Sequence, residues 1–429
     1  MRRPGLSKSV ASAIFAPMIG SPDKSVARER VLYCTYWGAT EPIGRGNAVP
    51  TVIALSQAGY EVYYVTFEKE ADVANKAVLK EVSEKLREAG VHWISLPYHK
   101  QPAGLSSLID IGVGFGVSLW LVHRRGIKLV HGRTFVGAAI GALVRSVTNV
   151  VLVNHTDGSW PDEQVDNNLW TQNGFAHRLG NAIQAATYRR ADAAIVLSRR
   201  ALTSVHEKRP RLSTTVIQTP VDFNRIPAST VAPYSEGRPF KLVYLGGLGG
   251  RYLEKELFEF FACAQELMPS LQIRIVSRTE ASKIEEAIEN ANIDRSRLEY
   301  GEVDADLIGP ILAESDAGVF MLRQGLSNIW TSATKVAEYW AAGLPVLVTP
   351  GCGDLDLLCE EHETGVVLQE FSQDSYSASL KQLVALASHP QIRDRCRELA
   401  SEQQSIQAIA ARHVSVYKRA LQNKAGKSR

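Results

Sequence analysis

Lys335 and Glu338 stand three residues apart in Ser332-Ala-Thr-Lys-Val-Ala-Glu-Tyr-Trp-Ala-Ala-Gly-Leu-Pro345. Thr331 or Ser332 is placed to cap a helix there by accepting a bond from a free N–H group. Val336, Ala337, Trp340 and Ala341 then share one apolar face, and Gly343 and Pro345 end the helix. The run Val346-Leu-Val348 that follows reads as a buried parallel strand. A helix start at such a sheet edge offers an anion free N–H groups and the positive end of a dipole. Lys335 adds a full charge, with Ser332 and Thr334 beside it, and Glu338 can accept hydrogen bonds from a diol such as a ribose. Together these suit a nucleotide. The same pattern also fits a solvated surface helix, and spacing alone leaves both readings open.

The rest of the chain supplies elements able to position such a site. Val31–Tyr36 reads as a strand, Gly38–Gly46 as a loop, Pro50–Ala58 as a helix and Glu61–Phe67 as a second strand. Gly44-Arg45-Gly46 closes that loop, either as an ordinary tight turn or as a place where phosphate meets Arg45. Further strands are expected at 91–96, 128–134, 149–154 and 191–198, and the run 215–222 closes this half. Arg133 ends one of them, placed for ligand binding or for an anchoring salt bridge. The pattern restarts with Phe240–Leu245, the loop Gly246-Gly-Leu-Gly-Gly250 and Arg251, whose fork suits phosphate oxygens. That loop lacks the G-x-G-x-x-G spacing of a dinucleotide fingerprint. Strands at 272–277, 298–301 and 317–322 follow, and 374–421 is amphipathic and helical.

With 429 residues, 45% hydrophobic and 22% charged, the chain is long enough for two full cores. A net charge of +3, with no basic stripe interleaved with aromatics, argues against a nucleic-acid partner. Five cysteines without zinc-ligand pairing suit reduced thiols in a cytoplasmic protein. Residues 1–27 read as a flexible leader able to touch the inner face of a membrane, and Leu105–Val122 as a buried crossing helix rather than a transmembrane span. Asp304-Ala-Asp306 and Asp354-Leu-Asp356 resemble a metal-binding pair, but Asp304 and Asp354 stand where helix caps are wanted. The histidines show no zincin spacing, so no metal is expected.

The segment from Ser332 to Val346 resembles the donor-binding segment of retaining glycosyltransferase family 4, whose members have the GT-B fold. In that family the Glu matching Glu338 binds the ribose of a nucleotide-sugar. Many members carry another Glu eight residues earlier, where this chain has Trp330. Gly158-Ser-Trp-Pro-Asp-Glu163 and Trp170 are similar to a run in a subgroup related to surface polysaccharides, as is His131-Gly-Arg133. His155 matches a strand-edge histidine that contacts the donor sugar in the wider family; a plain strand-end histidine is the other reading.

The resemblance implies an α/β protein of two Rossmann-like domains facing a cleft. Residues 28–225 form the acceptor side, 226–238 a linker, 239–401 the nucleotide-sugar domain, and 402–429 a helix crossing back with a basic tail. It implies catalytic roles for His155, Arg251 and Lys335. Donor contacts fall to Gly44, Arg45, Gly46, Gly246, Gly247, Arg278, Val303, Ser332, Thr334 and Glu338. Arg133, Asp157, Asp162 and Glu163 are acceptor-side candidates, with helix capping the other reading of the last two. The expected partners are a nucleotide-sugar donor, a substrate rather than a cofactor, and a carbohydrate or lipid-linked acceptor. The rival readings are a non-catalytic GT-B subunit and a nucleotide-sugar 2-epimerase.

Overall fold

A computed structural model describes residues 28–99, 105–229 and 231–427. The expected leader lies outside the described residues. Seven strands form the first sheet: β1 (Arg30–Thr35), β2 (Glu61–Glu68), β3 (His92–Pro97), β4 (Leu129–Arg133), β5 (Val151–Thr156), β6 (Ala193–Val196) and β7 (Ser213–Val216). All are parallel, in the order β3-β2-β1-β4-β5-β6-β7. The second sheet is also parallel and holds β8 (Lys241–Leu245), β9 (Gln272–Val276), β10 (Leu298–Gly301), β11 (Ala317–Phe320), β12 (Val346–Val348) and β13 (Gly365–Val367). Its order is β10-β9-β8-β11-β12-β13. Strand order reverses between β1 and β4, and again between β8 and β11. Ligands of doubly wound sheets bind outside the carboxyl ends of strands at such a reversal.

β4 and β5 are buried along their whole length, as helices on both faces require. One face of the first sheet packs Val31, Tyr33 and Val62 against the Val49–Gln57 helix and the long Ile406–Lys427 helix. The terminal helix therefore returns to the first domain, bringing Val416, Tyr417 and Ala420 into its core. The return passes a bridge between Val221 and Ser405. The opposite face packs Leu32, Cys34 and Val130 against the Leu105–Arg125 and Thr134–Val147 helices.

Several expectations change here. The run 215–222 that closes the first half begins in β7, which ends at Val216; Pro220, without an N–H, cannot extend a ladder. β13 is three residues long, too short to show a period. The 105–125 helix is buried on one side only: Leu121 and Val122 enter the core, whereas Leu108 and Trp120 are exposed.

Candidate active site

The Thr334–Ala341 helix begins one residue after Ala333, which is its N-cap and makes no side-chain cap bond. The expected capping by Thr331 or Ser332 is therefore not what forms. Thr331 Oγ1 donates to the Asn328 carbonyl at 2.7 Å. Ser332 Oγ accepts from the Thr219 N–H at 3.1 Å, and Thr219 Oγ1 donates to the Ser332 carbonyl at 3.1 Å. A local carbonyl has taken the Thr331 hydroxyl and a tertiary partner that of Ser332, which leaves the first turn of the helix open to an external acceptor.

Lys335 makes no hydrogen bond or ion pair among the described residues, and neither does the half-buried Glu338 carboxylate. Burial pushes the Glu338 carboxyl up, with Lys335 and Arg225 pulling it back. Arg225 is a residue that sequence reasoning did not single out. Its charge also reaches Glu81 of the first domain, as does that of Arg45, so it sits between the two halves. Its Nη2 is held by the Ala305 carbonyl at 3.0 Å. Arg45 is half-buried and its Nε lacks a partner.

The glycine loops differ in what they need. A Cβ on Gly44 would land on the Gly38 carbonyl, so the loop can fold on itself there only with glycine. Gly46 faces open space. Glu68 accepts the Ala39 and Thr40 N–H groups at 2.6 and 3.1 Å, and Glu41 accepts that of Gly38 at 2.9 Å. The first half of this loop is thus ordered by the chain's own acids. Gly246, at φ +150°, begins the second loop beyond β8, and Gly247 receives the Tyr244 hydroxyl on its carbonyl at 2.7 Å. Arg278 pairs with Glu302 at 2.9 Å in solvent, and Val303 packs partly buried beside the second core.

On the first-domain side, Arg133 Nε donates to Asp157 at 2.8 Å and its Nη1 to the Tyr33 hydroxyl at 3.3 Å. The anchoring salt bridge is what forms, and both groups are spent on each other. Asp162 accepts from or shares a proton with His177 at 2.9 Å, which ties the Trp160–Asp166 helix to the Phe175–Arg190 helix. Glu163 has no hydrogen-bond partner among the described residues. Burial pushes its carboxyl up to about 7, against the pull of Arg251 and aided by Asp157, Asp166 and Asp162. Arg251 donates to Asn328 and Ser327 at 2.8 and 3.2 Å.

His155 is buried, with Nδ1 3.1 Å from His131 Nε2, while the Tyr417 hydroxyl lies 2.8 Å from His131 Nδ1. Its own Nε2 has no partner. With His413, these imidazoles bring ring nitrogens within 4.8 Å of one another, a convergence that no sequence spacing announced. Burial holds all three below the ordinary histidine range, His413 at about 4. Both nitrogens of His131 are already engaged and the Arg133 charge is close, so the group is a buried neutral stack rather than a cation cage.

The halves clasp each other around the segment 323–332. Asp166 accepts from the Leu326 N–H, the Ser327 N–H and the Ser327 hydroxyl at 2.9, 2.8 and 2.6 Å. A Cβ on Gly325 would approach the Asp166 carboxylate to 2.5 Å. Arg200 forks onto Asp356 at 2.6 and 2.9 Å. Asp354 accepts from the Arg199 N–H at 2.6 Å, capping a helix of the other domain instead of its own. A hollow of ≈ 260 Å³ beside Lys241, Arg274 and Glu299 opens at the opposite strand edge, away from this cleft.

Residues 51–218 match the glycosyl transferase 4-like domain. No protein of curated function matches the chain by sequence. Among solved structures, sucrose-phosphate synthase from Thermosynechococcus elongatus aligns with a TM-score of 0.66 at 14% identity. The alignment covers 92% of this chain and 100% of that one. Anabaena HepE in complex with UDP and glucose aligns at 0.63 and 14% identity, over 91% and 100% of the two chains. WaaG, a glycosyltransferase involved in lipopolysaccharide biosynthesis, aligns at 0.59 and 16% identity, over 89% and 98%.

The chain has the GT-B fold. In this GT-B chain the position of the missing acid is filled by a wedge. Trp330 is 4% exposed and packs with Tyr188, Ala201 and Val205 of the first domain. The Ile329 carbonyl beside it accepts the Ser198 hydroxyl. The GT-B cleft therefore has two unlike walls, a second-domain wall with unpartnered charges and a first-domain wall whose charges are mostly paired.

Proposed function

We propose that the chain transfers a sugar from a nucleotide-sugar to a carbohydrate or lipid-linked acceptor with retention of anomeric configuration. The observation that carries this reading is the open helix start at Thr334, with Lys335 in its first turn and the unpartnered Glu338 carboxylate one turn on. Leaving a half-buried carboxylate unpaired costs stability. Hydroxyls of a bound ribose would offset that cost. The solved structure of HepE with UDP and glucose, on the same fold, supports the assignment of ligand class.

In this reading the sugar C1–O bond to the diphosphate breaks as the bond from C1 to the acceptor oxygen forms. The acceptor proton passes to the departing phosphate oxygen. Negative charge grows on that phosphate, where Lys335, the helix start and Arg225 can stabilise it, with Arg251 nearby on the opposite side of the clasp. No Asp or Glu among the described residues is offered as a covalent nucleophile, which suits a front-face route. Glu163, on the acceptor side and pushed up to about 7, is the group able to relay that proton near neutrality. Asp354 and Asp356 are engaged with Arg199 and Arg200, so charge neutralisation falls to the basic groups and no metal is invoked. A role in polysaccharide or glycoconjugate synthesis in the cytoplasm belongs to the same proposal.

Burial of Trp330 where many relatives carry an acid favours a second reading, a binding subunit without turnover. The deciding experiment is a thermal-shift screen with UDP-, GDP-, dTDP- and CMP-sugars, repeated on Lys335→Ala. A ligand that binds the native state raises the melting temperature. A shift with one nucleotide class, absent in the variant, is the expected result; no shift with any of them overturns the site. A shift without sugar release or transfer under broad acceptor screening selects the second reading.

A further inference from the structure

Asp166 is the last residue of the Trp160–Asp166 helix, where a carboxylate faces the negative end of the helix dipole. It does nothing there for its own helix. Its oxygens are spent on the second domain: Oδ1 accepts the Leu326 N–H, and Oδ2 accepts both the N–H and the hydroxyl of Ser327. The Asp166 carbonyl also takes Nη2 of Arg323 at 3.1 Å. Burial pushes this carboxyl up, but the Ser327 and Leu326 donors and the nearby Arg251 charge outweigh it and hold the group below the usual aspartate range. An ionised acceptor with three donors makes strong, directional bonds.

The bonds do not stop at Ser327. Its hydroxyl, which donates its proton to Asp166, accepts Nη2 of Arg251 at 3.2 Å. The same Nη2 reaches Oδ1 of Asn328 at 2.8 Å, and the Asn328 amide is fixed in turn by the Arg323 carbonyl at 2.7 Å. Ser327 and Asn328 are 0% and 2% exposed, so bulk water does not compete for either partner. The main chain is tied as well, since the Arg323 N–H donates to the Arg251 carbonyl at 2.8 Å. Among the described residues no carboxylate pairs with Arg251, and its Nε and Nη1 make no hydrogen bond. One nitrogen is therefore held by neutral oxygens while the charge and the other donors stay available. A charge fixed in direction and not neutralised is the kind that stabilises negative charge on a ligand.

Gly325 bears on the same contact. Its backbone is extended, at φ −162°, a conformation open to any residue. A Cβ there would nevertheless come within 2.5 Å of the Asp166 carboxylate, which its three donors keep from swinging aside. Glycine at 325 thus answers to Asp166 and not to the local backbone. We propose that Asp166 is a positioning residue: through Ser327 it aims Arg251 at the diphosphate of the donor, so that the first domain completes the donor wall of the second. This role rests on the glycosyltransferase reading. Its consequence is that Arg251 is set only while the Trp160–Asp166 helix is seated on the Leu326–Trp330 turn, with which it packs. Donor affinity then depends on a residue that does not touch the donor.

The test is a double-mutant cycle between Asp166 and Arg251 on the full chain, read by calorimetric titration with UDP, GDP and dTDP. Asp166→Ala should weaken the tightest of these by about ten-fold. Asp166→Asn keeps one acceptor oxygen for Ser327 and should recover part of that loss. Gly325→Ala crowds the carboxylate from the other domain and should match Asp166→Ala, which also keeps the cycle measurable if Asp166→Ala does not fold. In an Arg251→Ala background the Asp166 substitution should cost less than about two-fold, because the group it positions is gone. An equal cost in both backgrounds overturns the proposal, since Asp166 then only seats the domains. Wild-type affinity in Asp166→Ala, or in Arg251→Ala, overturns it as well. Each of those results leaves the glycosyltransferase reading standing. Binding of none of the three nucleotides to the wild type sinks that reading and the positioning role with it.

Discussion

The two walls of the cleft use their polar residues in opposite ways. On the second-domain wall Lys335 and Glu338 lack protein partners, and the helix under them has no side-chain cap. On the first-domain wall Arg133 is paired with Asp157, and His155 with His131. Paired groups hold a fold together, whereas unpaired half-buried ones weaken it unless a ligand completes them. The proposed donor end lies on the wall whose charges are open. Glu163 is an enclosed carboxyl of the first wall without a hydrogen-bond partner among the described residues.

The sharpest break of this comparison is Arg133→Ala. It leaves Asp157 and the Tyr33 hydroxyl without their partner, and should cost about 3 kcal/mol of unfolding free energy in urea titration. An unchanged midpoint would show that the first wall is not spent on structure. Lys335→Ala and Glu338→Ala should do the reverse, lowering turnover about 100-fold with little change in melting temperature. Wild-type turnover in both variants would remove them from the site.

Glu163 is tested through pH. Its folded-state pKa, about 7, lies above the ordinary glutamate value. The native state therefore holds a proton that the unfolded chain has already released between the ordinary glutamate range and pH 7. Stability from this group is full below that window and falls as pH rises through it. Glu163→Gln should flatten that fall, and should abolish an acidic limb near pH 7 in the rate profile; an unchanged profile rejects a role in proton transfer. The smallest effect is expected from Ser332→Ala, which removes one hydrogen bond with Thr219 worth about 1 kcal/mol and does not uncap the helix. A large loss of donor affinity there would mean that the hydroxyl serves the ligand.

Strand–helix alternation was legible because buried parallel strands read as short β-branched runs and the punctuating glycines and prolines are strong. The Lys335–Glu338 pair was legible for a similar reason, since a helix carries its spacing into space. What was not legible depends on contacts across more than a hundred residues. Ser332 looks like a cap until Thr219 claims it. Asp354 looks like the cap of its own helix, yet serves the helix that begins at Arg199. Arg225 carries no motif, and only the meeting of the domains sets it near Glu81 and Glu338.

The sequence by itself determined the local order: which runs are strands, which are helices, and that Lys335 and Glu338 share one helix. Periodicity and backbone restriction act over a few residues, and those are present in the chain before it folds. The tertiary structure alone decided which polar groups are spent and which remain open. Burial, and with it the cost of an unpaired charge, is a property of the assembled domains. The same holds for Trp330, which becomes an interdomain wedge, and for the long apolar helix, whose outer stripe is revealed only once its inner side is packed.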